Sequence, residues 1–289
     1  MGVSPHRLFS DHPLRLDANH GWFRRSSETH AVPKFSANLS FLYPELPFLE
    51  RFAAAAADGF RAVEYAVPYV ASAEELAALN ARHGLDQVLF NLPAGDWDGG
   101  ERGIACHPDR VDEFRAGVDV ALRYARMLGC PRVNCLAGIV PPGVAPERLE
   151  TTFVANLGYA APRFAAAGVE LLIEPINPRD IPGFYLTTAR HAERLLDAVG
   201  SDNLKIQYDI YHQQVTAGDL IPTYERLLHR IGHIQIADTP GRHEPGSGEI
   251  NYRFVLAELD RLGYAGWVGC EYRPLAGTSA GLSWMAPYR

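Results

Sequence analysis

The sequence predicts a (β/α)8 barrel, a TIM barrel of the α/β class, on three observations. Eight short apolar runs are spaced along the chain, amphipathic or Ala-rich segments separate them, and most of those segments end in glycine just before the next run. Regular alternation of strand and helix argues for parallel pairing. Eight is the number of strands that closes such a barrel, and single barrels commonly reach about 250 residues, which the 289 residues here accommodate.

The elements follow in order. Residues 1–33 scatter His6, His12, His20 and His30 among Arg, Ser, Asp and Pro with no sustained period. They predict an N-terminal extension, disordered or serving as an arm onto a partner subunit, and residues 34–289 form the barrel. The first strand is 35–42 (FSANLSFL), followed by an Ala-rich helix at 47–60. The second, 62–66 (AVEYA), leads into a helix at 72–84, and the third, 87–92 (QVLFNL), into the long amphipathic segment 110–129. Strand four is 132–137 (RVNCLA) with a helix at 149–168, and strand five is 169–176 (VELLIEPI) with a helix at 188–200. Strands six (204–211, LKIQYDIY), seven (231–237, IGHIQIA) and eight (267–272, WVGCEY) alternate with helical segments at 223–232 and 251–266. The terminal glycines are where helix C-caps are expected.

An open doubly wound sheet is the alternative architecture. Neither GxGxxG nor GxxxxGK[ST] follows the first strand, so the phosphate cradle of such sheets is missing. The Gly-rich stretch 98–103 (DGGERG) follows strand three without that spacing and reads as a substrate loop or a plain turn.

Composition narrows the function. With 47% hydrophobic and 21% charged residues the chain is that of a soluble globular protein. A formal net charge of −7 without a Lys/Arg-rich block excludes nucleic acid and anionic membrane as expected partners. No apolar run approaches the ~20 residues that span a bilayer, and the N-terminus lacks the apolar core of a signal peptide. Cys106, Cys130, Cys135 and Cys270 form no CxxC pair and read as reduced, buried thiols. The expected compartment is the cytoplasm.

In a barrel of this kind the chemistry sits where the strands finish. Strand five ends with Glu174, strand six with Asp209 and then His212, strand seven carries Gln235, and strand eight ends with Glu271. An ionised carboxylate among residues as apolar as LLIEP or WVGCEY is costly to bury unless it is paired or bound to a cation. A lone strand-end Glu is usually salt-bridged to a neighbour; polar groups on four consecutive strands point instead to a shared ion. Glu174, Asp209, Gln235 and Glu271 supply hard oxygen donors that suit Mg2+ or Mn2+, and zinc is disfavoured because neither Cys nor an HExxH helix contributes.

The segments LLIEPINPRDIPGF, IQYDIYHQQ, HIQIADTPGRHEPGSGEINY and GCEYRP resemble the hydroxypyruvate isomerase family, within the xylose-isomerase-like barrels that also include ketose 3-epimerases. The resemblance runs from about residue 35 to 274. It implies that Glu174, Asp209, Gln235 and Glu271 are the metal ligands, that Glu174 and Glu271 also transfer the proton, and that His212 and Arg242 contact the substrate. The related epimerases usually have His where Gln235 stands, which sides this chain with the isomerases. Superfamily barrels often assemble as homodimers or homotetramers.

These residues could run an aldose–ketose isomerisation through an enediolate, which needs a base, an acid and a cation near the oxyanion. The expected substrate is a small hydroxy or oxo acid of carbohydrate metabolism, hydroxypyruvate giving tartronate semialdehyde. Arg242 could grip its carboxylate bidentately, with Arg102 and Asn38 as further substrate contacts and Asp180 a weaker one. His243, Glu244 and Glu249 belong to the same loop as Arg242, and His233 reads as packing beneath Gln235 because the two share a strand face. A 2-oxo-tetronate isomerase or a ketose 3-epimerase would use the same groups. A non-catalytic sugar-acid binding protein is the alternative of another class.

Overall fold

Each of the eight apolar runs forms a strand, and every strand stops before its run does. The computed structural model describes residues 33 to 288, so the expected extension, apart from Pro33, lies outside the described residues. The strands are β1 Lys34–Asn38, β2 Ala62–Tyr65, β3 Asp86–Asn91, β4 Arg132–Asn134, β5 Glu170–Ile173, β6 Leu204–Asp209, β7 Ile231–Ile236 and β8 Trp267–Cys270. They are hydrogen-bonded in sequence order into a closed barrel. Parallel pairing of β8 with β1, from Lys34 opposite Trp267 to Ala37 opposite Cys270, completes it.

The early stops have local causes. Pro175 has no N–H to give a ladder, so β5 ends at Ile173 and Glu174 is released just above it. At the end of β6 the side chain of Asp209 accepts the backbone amides of Tyr211 (2.7 Å) and His212 (3.2 Å). This N-cap turns the chain into α6, Ile210–Thr216, where the apolar pattern alone predicted two more strand residues.

The larger helices are α1 Arg51–Ala57, α2 Ala73–His83, α3 Val111–Leu128, α4 Pro146–Ala166, α5 Ala189–Val199, then α7 Leu220–Leu227 and α8 Tyr252–Arg261. Ser72 caps α2 by accepting from the amide of Glu75, and Gly84 ends it in the left-handed conformation, as the sequence predicts. The main core lies between helices and strands and takes one face of each strand, as Ile234 and Ile236 do on β7. The other face turns inward. A small apolar cluster of Ala62, Val88, Leu89 and Leu172 with Trp267 is separate from the main core. Buried polar residues, among them Ser36, Glu64, Asn134, Gln207, His233 and Gln235, make up the remaining inward positions. All four cysteines are buried and free. No helix among the described residues is long and apolar enough to cross a membrane.

Candidate active site

Barrel register brings the strand-end residues together. Asp209 is paired directly with Gln235 across β6 and β7, and Gln235 with Gly269 across β7 and β8. Glu174 and Glu271 each stand one residue beyond their strands. One ligand atom from each of Glu174, Asp209 and His212 falls within a mutual 4.8 Å, all three residues buried. The Glu174 carboxylate accepts from Asn134 Nδ2 at 3.0 Å, and the Gln235 amide oxygen accepts from Gln207 Nε2 at 2.5 Å.

Arg242 occupies the centre of the acidic groups. Its Nη1 lies 2.9 Å from Asp180 Oδ2, and its Nη2 lies 3.4 Å from Glu271 Oε2 and 3.7 Å from Asp209 Oδ2. The guanidinium is buried beside the rings of Phe41, 4.6 Å away, and Tyr211, at 5.1 Å. Its backbone is left-handed, at φ 57°, unusual for a residue other than glycine. The loop that imposes this is wound on Asp238, whose buried carboxylate accepts the amides of Thr239, Gly246, Gly248 and Ile250. A Cβ at Gly248 would lie 2.0 Å from the Thr239 carbonyl oxygen, so only glycine fits that close turn. Tyr211 donates its hydroxyl to Asp180, which holds the far side of Arg242.

His212 Nδ1 lies 2.6 Å from the Asn177 side-chain amide nitrogen. The amide can only donate there, so Nδ1 accepts and the ring proton belongs on Nε2. Nε2 faces Asp209 Oδ2 at 3.6 Å and Glu174 Oε1 at 3.8 Å. Burial and then the charge of Arg242 hold His212 well below the ordinary imidazole range, so it is a neutral donor at physiological pH.

The carboxylates are crowded and dry. Burial, with Asp209 beside it, pushes Glu174 up to about 8. Burial, with Glu174 and Asp209 nearby, likewise raises Glu271 well above the usual carboxylate range against the pull of Arg242, and burial raises Asp209. Asp209 Oδ2 and Glu271 Oε2 are buried without a hydrogen-bond partner. Orphaned acceptors of this kind fit a cation-binding site.

These shifts set a pH dependence for protein kept in chelator. Between the ordinary value of 4.5 and about 8 the folded state holds a proton on Glu174 that the unfolded chain releases. Stability therefore falls as pH rises across that window. Melting curves in EDTA at pH 6, 7 and 8 should show a declining Tm, with a shallower decline in Glu174→Gln. A slope unchanged in the variant contradicts the assignment.

Above these groups opens a cavity of about 1090 Å3, with Glu174, His212, Arg242 and Glu271 among its lining residues. Arg102, on the loop after β3, lines it too; its guanidinium stacks on Trp97 at 4.1 Å, with Nη1 held by the carbonyl oxygens of Trp97 and Glu101. The stretch 98–103 is thus cavity wall, contributing Asp98 and Arg102. Asn38 is not brought there: it is buried, donates to Glu64, and accepts the amide of Ser40. From the loop after β7 only Arg242 lines the cavity, while His243 Nδ1 bonds the Arg273 carbonyl oxygen and Glu244 accepts the amide of Leu275. Sequence reasoning missed Glu64, because an acid early in the chain inside AVEYA shows no partner in sequence; all its partners come from β1 and β7.

Residues 52–288 match the xylose isomerase-like TIM barrel family. The chain is 54% identical to the hydroxypyruvate isomerase of Escherichia coli K12 over 256 residues, covering 89% of this chain and 99% of that protein. It is 50% identical to the 2-oxo-tetronate isomerase of Cupriavidus necator over 257 residues, again covering 89% and 99%. A crystal structure of AP endonuclease, family 2, from Brucella melitensis superimposes with a TM-score of 0.87 at 45% identity, over 89% of this chain and 99% of that one.

Proposed function

We propose, on the premise that this chain belongs to the hydroxypyruvate isomerase family of xylose isomerase-like TIM barrels and is an isomerase, that it interconverts hydroxypyruvate and tartronate semialdehyde with the help of a divalent metal. The observation that carries the reading is the meeting of buried Glu174, Asp209 and His212 at the strand ends, with Asp209 Oδ2 and Glu271 Oε2 lacking a hydrogen-bond partner. Glu174, Asp209, Gln235 and Glu271 would hold Mg2+ or Mn2+, whose hard preference matches their oxygen donors. Bound there, the cation supplies Lewis-acid stabilisation of the negative charge that develops on the substrate oxygens.

The residues of the chain do the rest. Of Glu174 and Glu271, one removes a proton from the hydroxymethyl carbon of the substrate, giving an enediolate, and a proton is returned to the neighbouring carbon. His212, neutral and donating from Nε2, is placed to hold a substrate oxygen. Arg242 is already committed to three carboxylates, so its first role here is to offset their charge. Arg102 has no acidic partner among the described residues and is the better clamp for the substrate carboxylate. Arg102→Ala is expected to raise KM for the oxo acid about tenfold or more, with a smaller effect on kcat. Steady-state kinetics check this, and an unchanged KM removes Arg102 from that role.

A four-carbon 2-oxo acid is the second reading, favoured by one observation: the cavity is just above the usual range of small-molecule sites, roughly 300–1,000 Å3, and is roomy for three carbons. Comparing kcat/KM for hydroxypyruvate, a 2-oxo-tetronate and D-fructose tests the choice. Preference for hydroxypyruvate supports the first reading, and preference for the tetronate or the ketose replaces it while keeping the chemistry. A nucleic-acid substrate is disfavoured by the net charge of −7.

A further inference from the structure

Beneath the candidate site, Glu64 on β2 is fully buried and accepts four hydrogen bonds from two other strands. Ser36 Oγ and His233 Nε2 approach Oε2 at 2.8 Å each, and Asn38 Nδ2 at 3.2 Å and Gln235 Nε2 at 2.7 Å approach Oε1. Space for this carboxylate is made on β8: a Cβ at Gly269 would lie 2.3 Å from Oε1 and 2.5 Å from Oε2. Gly269 is itself the register partner of both Ser36 and Gln235. The barrel has therefore given up a side chain on one strand to seat a buried acid beside Gln235.

An amide has two ends, and which one faces the site depends on its neighbours. A carboxylate encircled by four donors can only accept, so the Gln235 NH2 must turn down to Glu64 and Oε1 must turn away from it. Gln207 Nε2 meets that oxygen at 2.5 Å and also supports Glu174. Donation runs from Gln207 through Gln235 to Glu64, and Gln207 links this pair to Glu174 above.

We propose that Glu64 is a positioning residue that fixes the rotamer and amide orientation of Gln235, so that its oxygen, never its NH2, is offered to the divalent cation. This rests on the reading above that Gln235 is a ligand. Partners that orient metal ligands in this way typically alter affinity by about 10- to 100-fold.

The test is Mn2+ titration of the substrate-free protein, following free Mn2+ by EPR, with a melting curve for each variant. Wild type should bind one equivalent. Glu64→Gln should weaken binding about 10- to 100-fold, because an amide can donate as well as accept and no longer obliges the Gln235 NH2 to face it. Ser36→Ala, which removes a Glu64 partner without touching Gln235, should stay within about threefold of wild type. In a Gln235→Ala background the Glu64→Gln change should have no further effect on affinity, since Glu64 acts through Gln235. Should Glu64→Gln fail to fold, Glu64→Asp keeps the charge but withdraws it from Gln235, and should weaken binding in the same direction. A folded variant that binds as wild type, or additive losses in the double variant, overturns the positioning role and leaves Glu64 purely structural. Failure of wild type to bind Mn2+ is a different result, and overturns the metal reading together with this one.

Discussion

Glu271→Gln should lower kcat with hydroxypyruvate by about 10²- to 10⁴-fold, the usual contribution of a positioned acid or base. The substitution keeps the size of the side chain and an oxygen for coordination, and removes the negative charge and the capacity to exchange a proton. In the folded chain Glu271 stands one residue past β8, its backbone amide bonded to Ile236 and its Oε2 facing Arg242 at 3.4 Å. The variant therefore should fold and still bind Mn2+, so that the loss falls on kcat with KM little changed. Glu174→Gln should behave alike, and the double variant should be no worse than the poorer single one, since both act in one transfer. Either single variant retaining more than about a tenth of wild-type kcat would be outside the expected range and would remove that residue from proton transfer.

Stripping divalent cations should abolish turnover, and Mg2+ or Mn2+ should restore it. The physical basis is the cost of the site itself. Burial pushes Glu174, Asp209 and Glu271 upward, Asp209 raises Glu174 further, Glu174 and Asp209 raise Glu271 further, and one Arg242 cannot form close pairs with them all. A divalent ion offsets that repulsion, and its binding must release the protons that burial has placed there. Apparent metal affinity should accordingly rise from pH 6 to pH 8. Measuring activity after EDTA treatment and titration with each metal at those two pH values checks both statements. Full activity in EDTA, or affinity independent of pH, runs against them.

The order and number of strands were legible because each apolar run is short, bounded and followed by a helix with a glycine stop, as at Gly84 and Gly200. Where the strands end was not, because Pro175 and the capping by Asp209 act after the apolar pattern and against it. Topology alone puts strand-end residues near one another, and Glu174, Asp209, Gln235 and Glu271 lie at or just past the ends of adjacent strands. Pairings across the barrel escape such reasoning. Asn38 sits at a strand end yet is spent on Glu64, and Arg242 is enclosed by Asp180, Asp209 and Glu271, which no spacing along the chain reveals.

The central claim, proton transfer on a small oxo acid by the Glu174 and Glu271 pair, is tested most directly by solvent exchange. Hydroxypyruvate is incubated in D2O with Mg2+ and followed by 1H NMR, using wild type and Glu271→Gln. Deuterium entering the hydroxymethyl carbon, with tartronate semialdehyde appearing and both lost in the variant, is the predicted result. Wild type that leaves the hydroxymethyl protons in place, or a variant that exchanges them as fast as wild type, would contradict it.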